Sequence, residues 1–474
     1  MKQVHLELGL AVLLCACTPA NKNVANNGLG GQASTTFASG GQPAQGGAGI
    51  GTGVTPGTGS AGSGTTNPAG GTAGTAVSST AGQGGGVAGQ GGTAGAGGTA
   101  GMGGAAGSAG ATGTGGTTAA AGMGCGSTKL LAVPDDVSLP GPWPVGVKTL
   151  QVPISGGMIT AEIWYPAPVG MDAGKTKVTY DLGDWTGDPQ PIAEADKVIE
   201  TCNCYRDLPI DTAYGPYPAV IFIHGTGSFR TASLSTMTQW ASRGFVVVAA
   251  DHPGLFLSDV LACKTTGISQ SLGRDVDAMI AGMTNKSGDF AFLGSSVDMS
   301  RIGLSGHSAG AEAAAQYGNK PNVQVDMPLA DYGGDPVSSA GMVQSVLIVS
   351  GMSDSVVSYS SDQSAYLGSP SPKRLVGITG GDHIDVTDLC WLKNSKGKTG
   401  IQVASDYQVC GGATVAFLAT IAQCGTIDPK RGSEITNYVT TAALEETLHC
   451  ANRDAAFAGL QAKYPEVGDF QHTP

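Results

Sequence analysis

The sequence predicts an α/β domain, a mostly parallel sheet with helices on both faces, filling residues 127–474 behind a long glycine-rich tether. Three observations predict it. After residue 127, short β-branched runs alternate with amphipathic stretches, the pattern of parallel strands joined by crossover helices. A Gly-x-Ser-x-Gly turn stands between one such run and a helix, where a reactive serine is presented at the top of a sheet. Finally, composition breaks sharply: of 77 glycines in 474 residues, 38 fall in residues 28–126.

Residues 23–126 contain no Asp, Glu, Lys, Arg or His, and Phe37 is the only aromatic. Such a stretch cannot bury enough apolar area to offset chain entropy, so residues 17–126 are expected to be a disordered linker. A flexible chain of about 100 residues has an end-to-end distance on the order of 50 to 60 Å. Ahead of it, Lys2, an apolar run over residues 8–14 and then Leu14-Cys15-Ala16-Cys17 read as a secretory signal over residues 1–16, too short to span a bilayer. The last four residues resemble a bacterial lipobox, which implies a lipid-bearing Cys17, anchoring to the membrane and a place in the cell envelope, most readily the outer membrane, with a plain secretory signal and a secreted protein as the alternative. The net charge of −12 without a basic stripe excludes nucleic acid and anionic lipid headgroups as electrostatic partners. Eight further cysteines, Cys125, Cys202, Cys204, Cys263, Cys390, Cys410, Cys424 and Cys450, lack zinc-ligand spacing and read as disulfides of an exported protein. Cys202 and Cys204 are expected to be too close to pair with each other, and sequence does not choose among the 105 possible connectivities.

Runs over residues 145–152 and 158–165 flank Ser155-Gly156-Gly157 and predict a hairpin. Buried strands are predicted over 219–223, 245–250, 301–304, 345–350 and 374–378, with helices over 234–243, 269–283 and 309–317. In such sheets chemistry collects beyond the carboxyl ends of the strands. There stands Ser305-Gly306-His307-Ser308-Ala309-Gly310, with Ser308 as nucleophile. The base and its orienting acid follow in the order acid, then histidine. His383, after the run ending at residue 378, is the predicted base, and Asp354, after the run ending at 350, the predicted acid, with Asp331 as the alternative. The oxyanion donors are expected to be the N–H groups of Thr226, in His224-Gly225-Thr226-Gly227, and of Ala309. His224 and His307 are read as structural, His252 as a pocket residue, Tyr332 as either a cleft aromatic or a core tyrosine, and Asp382, Asp385 and Asp388 as solvated loop charges.

Ile163-Trp164-Tyr165-Pro166, His224-Gly225, Ser242-Arg243-Gly244-Phe245, Asp251-His252-Pro253-Gly254, Gly306-His307-Ser308, Asp354 and Gly381-Asp382-His383 together resemble the α/β-hydrolase superfamily. Within it they look most like the branch of platelet-activating-factor acetylhydrolases, dienelactone-hydrolase-like proteins and cutinase-like polyester hydrolases. The resemblance runs over residues 144–391 and resumes in a helix near 434–448. Ala309 and Thr226 depart from the polyester hydrolases, which usually carry Met and an aromatic there, and Ser308 departs from the cysteine of true dienelactone hydrolases. The resemblance implies an α/β-hydrolase fold and a serine carboxylic ester hydrolase acting on small or lipid-like esters, with no metal or organic cofactor. Residues 169–214 and 392–425 look like insertions that cap the site. An inactive binding protein on this scaffold and a serine peptidase are the competing readings.

Overall fold

The computed structural model describes Gly122–Met123, Cys125, residues 128–412 and residues 414–474. The expected signal, Cys17 and all but the last few residues of the expected tether lie outside the described residues. Gly122–Met123 pairs antiparallel with Lys129–Leu130, and Cys125 is disulfide-bonded to Cys450, so ordered structure reaches back slightly ahead of residue 127.

Ten strands form one sheet within these residues: β1 (Val145–Ile154), β2 (Gly157–Pro166), β3 (Tyr205–Arg206), β4 (Tyr217–Ile223), β5 (Val246–Ala250), β6 (Val297–His307), β7 (Val323–Leu329), β8 (Ser345–Gly351), β9 (Lys373–Ile378) and β10 (Val467–Thr473). Their spatial order is β10-β9-β8-β7-β6-β4-β5-β2-β1-β3. The block from β9 through β5 is parallel; β1 and β2 form the expected antiparallel hairpin, and β2 also runs antiparallel to β5. From β4 the chain moves to β5 on one side and then returns to β6 on the other. The crevice between β4 and β6 is thus a topological switch point, where ligands bind in open α/β sheets.

The main helices in chain order are α1 (Leu182–Thr186), α2 (Leu234–Ser242), α3 (Leu272–Asn285), α4 (Ala309–Tyr317), α5 (Tyr359–Gly368), α6 (Gly400–Asp406), α7 (Val415–Ile421) and α8 (Pro429–Leu448). Because strand side chains alternate faces, β4 feeds two cores: Val220 and Phe222 join α2 and α8 on one side, while Ala219, Ile221 and Ile223 join α3, α4 and α5 on the other. Full burial of a side chain such as Phe222 is worth about 1.5–3 kcal/mol. That two-sided burial is why β4 reads as one continuous apolar run. The longest helix, α8, starts where Asp428 accepts from Lys430 N and Pro429 needs no intrahelical donor partner. It is pinned to the body by Glu445, which accepts from Arg243 Nε at 2.6 Å and Arg453 Nε at 2.7 Å.

Several elements lie outside the sequence expectations, among them β3, β7, α1, α5, α6, α7 and the last strand. β10 pairs antiparallel with β9 as an edge strand, and its residues Gly468-Asp469-Phe470-Gln471-His472 carry no apolar run that periodicity could detect. The eight cysteines of the described residues pair as Cys125–Cys450, Cys202–Cys204, Cys263–Cys410 and Cys390–Cys424. The second pair corrects the expectation that Cys202 and Cys204 bridge elsewhere. Val178 donates its N–H to Cys204 O and accepts from Cys202 N, which folds the three residues into a bend with a Cα separation of 5.0 Å. An extended chain would hold them about 6.6–7.2 Å apart, beyond comfortable bridging distance.

Candidate active site

Four strand-end loops meet at the carboxyl edge of the sheet. β6 ends in the turn that carries Ser308, whose φ of 58° and ψ of −121° place a non-glycine residue in a sparsely populated region. Such strain costs on the order of 1–3 kcal/mol and persists only where surroundings enforce it. Here Ser308 N donates to Leu329 O at 3.0 Å, and Ser308 O accepts from Ala311 N and Glu312 N at 2.9 and 3.1 Å, fastening the turn to β7 and to the start of α4. The flanking glycines are required by close approach. A Cβ on Gly306 would lie 2.2 Å from Gly310 O, and one on Gly310 would lie 2.0 Å from Ile223 O.

Ser308 Oγ lies 2.9 Å from His383 Nε2, and His383 Nδ1 lies 2.9 Å from Asp354 Oδ2. A carboxylate only accepts, so Nδ1 carries the proton and Nε2 is left to accept from the serine hydroxyl. Asp354 Oδ1 accepts from Val356 N at 2.8 Å and Val357 N at 2.7 Å. Of the two candidate acids, Asp354 is therefore the one bonded to His383. Asp331 instead accepts from Gly333 N at 3.0 Å, and its other oxygen has no partner. Burial, with Asp362 beside it, pushes its carboxyl up to about 7.

The Thr226 loop follows β4 and lies against the serine turn: a Cβ on Gly225 would sit 2.9 Å from Ser308 Cβ and 3.0 Å from His307 O. Thr226 and Ala309 are partly exposed, and neither N–H meets an acceptor among the described residues. Both are free to donate to a bound oxyanion. His224 is buried and structural, its Nδ1 2.8 Å from Gly225 O and its Nε2 accepting from His252 N at 3.0 Å. Burial, with His252 beside it, holds His224 well below its ordinary value.

His307 does more than pack. Its Nε2–H donates to His383 O at 2.9 Å, and burial next to His383 pushes it down to about 3, so it stays a neutral donor that ties the serine turn to the histidine loop. His252 is fully buried with Nδ1 3.1 Å from Asp275 Oδ2, so it does not line an open pocket. Tyr332 is 53 % exposed, which excludes the core alternative, and its N–H reaches Ser308 O at 3.4 Å.

The three acids near His383 correct a sequence expectation, since all are buried rather than solvated. Asp382 Oδ1 accepts from His383 N at 2.7 Å, Ser355 N at 2.7 Å and Ser355 Oγ at 2.8 Å. Asp385 Oδ2 accepts from Asp382 N and Gly425 N, and Asp388 from Ser235 N and Oγ and Trp391 Nε1. Burial pushes Asp388 up to about 6. These acids replace solvent as partners for backbone donors, and they fix the loop that presents the base. Adjacent charged residues in a polar loop carry no sequence signal separating this role from solvation.

Residues 169–214 and 392–425 meet over the Thr226 and His383 loops. They share Asp196, whose backbone O accepts from Asn394 Nδ2 at 2.9 Å and whose carboxyl accepts from Tyr407 Oη at 2.7 Å. Between them lies a narrow apolar cleft of about 50 Å³, lined by Leu182 and Trp185 of α1, by Phe229 and Leu257, by Leu418 of α7, and by Gly227 and Ile384, which follow Thr226 and His383 in the chain. Trp185 stacks on Phe229 with centroids 4.8 Å apart. A second, polar cavity of about 550 Å³ lies behind α1, with Asp181, Asp184, Asp188 and Asp251 on its walls together with Lys197 and Arg230.

A family model described as platelet-activating factor acetylhydrolase, isoform II, matches residues 195–280. The chain resembles the platelet-activating factor acetylhydrolase branch of the α/β-hydrolases. The matched span holds β4, the Thr226 loop, α2, β5 and Asp251-His252-Pro253-Gly254, and it ends before β6. Platelet-activating factor acetylhydrolases are serine-dependent ester hydrolases, so the likeness supports ester hydrolysis as the general chemistry and lipid or other esters as the substrate class. Among the described residues no helix is long and apolar enough to cross a membrane.

Proposed function

We propose that this protein is a serine carboxylic ester hydrolase working through an acyl-enzyme. The observation that carries the reading is the unbroken chain from Ser308 Oγ through His383 to Asp354, with 2.9 Å at each link. His383 Nε2 takes the serine proton as Oγ attacks the ester carbonyl, and Asp354 steadies the imidazolium that forms. The N–H groups of Thr226 and Ala309 donate to the oxyanion, each donor being worth roughly 10²–10³ in rate. His383 then gives the proton to the leaving alcohol, and water, deprotonated by the same base, releases the acid. The likeness to a platelet-activating factor acetylhydrolase family model sets the ester reading ahead of a peptidase.

Turnover of p-nitrophenyl acetate and butyrate tests this. Wild type hydrolyses both, and Ser308→Ala loses at least about 10³-fold in kcat. Equal rates in the two proteins would reject the nucleophile. An inactive binding protein is separated by a fluorophosphonate probe, which labels only an activated serine. We also propose that a lipid on Cys17 holds the enzyme at the cell envelope. The lipobox-like Leu14-Cys15-Ala16-Cys17 supports this, and Cys17→Ala is expected to move the protein from the membrane to the soluble fraction.

A further inference from the structure

We propose that Leu418, on the cap helix α7, sets the length of the acyl chain that the site accepts by standing against Gly227 beside the oxyanion loop. The inference rests on the ester-hydrolase reading above. Gly227 follows Thr226 directly and has a φ of +67°, and a Cβ built there would fall 2.3 Å from Leu418 Cδ2. The leucine side chain thus stands against the glycine that follows the oxyanion donor Thr226. Leu418 is buried and forms one wall of the cleft with Trp185, Phe229 and Leu257.

The cleft's volume of about 50 Å³ equals about three to five water sites at roughly 10–15 Å³ each, which sizes it for a short acyl tail. A longer chain has to displace Leu418. The helix that carries it is fastened on both sides, because Cys410 ahead of α7 is bonded to Cys263 and Cys424 behind it is bonded to Cys390. Backing α7 away therefore means moving a doubly stapled segment, whereas trimming the side chain opens the wall alone. Leu418→Ala removes three carbons from that wall. Each extra substrate methylene then buried is worth about fourfold in kcat/KM.

The test uses the full chain and p-nitrophenyl acetate, butyrate, hexanoate and octanoate. Wild type is expected to fall steeply beyond butyrate, and Leu418→Ala to raise the hexanoate-to-acetate ratio of kcat/KM at least tenfold. Leu418→Val, a milder change, is expected to raise it about fourfold, and it decides the matter if the alanine variant does not fold. Fluorophosphonate labelling of Ser308 certifies each variant as assembled. Variants that label normally but keep the wild-type ratio would overturn the inference and leave the ester-hydrolase reading standing, as would a wild type that takes octanoate as well as acetate. A wild type that neither labels nor cleaves any ester would overturn both.

Discussion

The loops after β7 and β8 each present an aspartate at the carboxyl edge of the same sheet, and the two aspartates have opposite environments. Asp354 meets three N–H donors, two from the backbone and one from His383. Asp331 meets a single backbone N–H, leaves one oxygen unpaired, and packs near Asp362, whose Oδ1 accepts from Asp331 N and whose Oδ2 accepts from Ser350 Oγ. Burial pushes both Asp331 and Asp362 up to about 7. Position at a strand end is therefore not enough to make a triad acid. The supply of donors decides which carboxyl can hold an imidazolium and which is held partly protonated near neutral pH.

Breaking that comparison at its strongest point, Asp354→Asn is expected to lower kcat by about 10⁴-fold, because an amide favours the wrong imidazole tautomer, while Asp331→Asn stays within about tenfold. Steady-state kinetics on p-nitrophenyl acetate checks both, and similar losses would mean the two loops share the work. Next in size is the clamp between the serine and histidine loops. His307→Phe is expected to lose roughly 10–100-fold in kcat through misplacement of His383, with less loss for His307→Gln, whose amide can still donate. Fluorophosphonate labelling rates would follow the same order.

The smallest effect sharpens the comparison through stability. The folded state holds protons on Asp331 and Asp362 up to about pH 7, whereas in the unfolded chain these groups ionise near pH 4. The unfolded state binds fewer protons between those values, so the pair's contribution is fully present below about pH 4 and is lost as pH rises to about 7. Wild type is expected to melt at a lower temperature at pH 8 than at pH 5. Asp362→Asn, which cannot ionise, is expected to narrow the gap, by a stability change on the order of 1–3 kcal/mol. Thermal melts of both proteins at the two pH values read it directly, and an unchanged gap would place the ionisation elsewhere.

What the sequence by itself determined is what depends on neighbours along the chain. The alternation of strands and helices, the glycines around Ser308 and the glycine-flanked Thr226 loop are local patterns, because strand burial and tight turns are specified within a few residues. The tertiary structure decided what depends on long-range supply of partners. Sequence ranks Asp354 ahead of Asp331 as the acid without excluding either, and the register of β7, β8 and β9 brings His383 to Asp354. Asp382, Asp385 and Asp388 look like surface charges until Ser355, Gly425 and Ser235 donate to them. The apolar cleft exists only because two insertions about 200 residues apart, joined through Asp196, close over Gly227 and Ile384. Hydrogen-bond donors and packing walls arrive from distant segments, and no window of sequence records which distant segment will arrive.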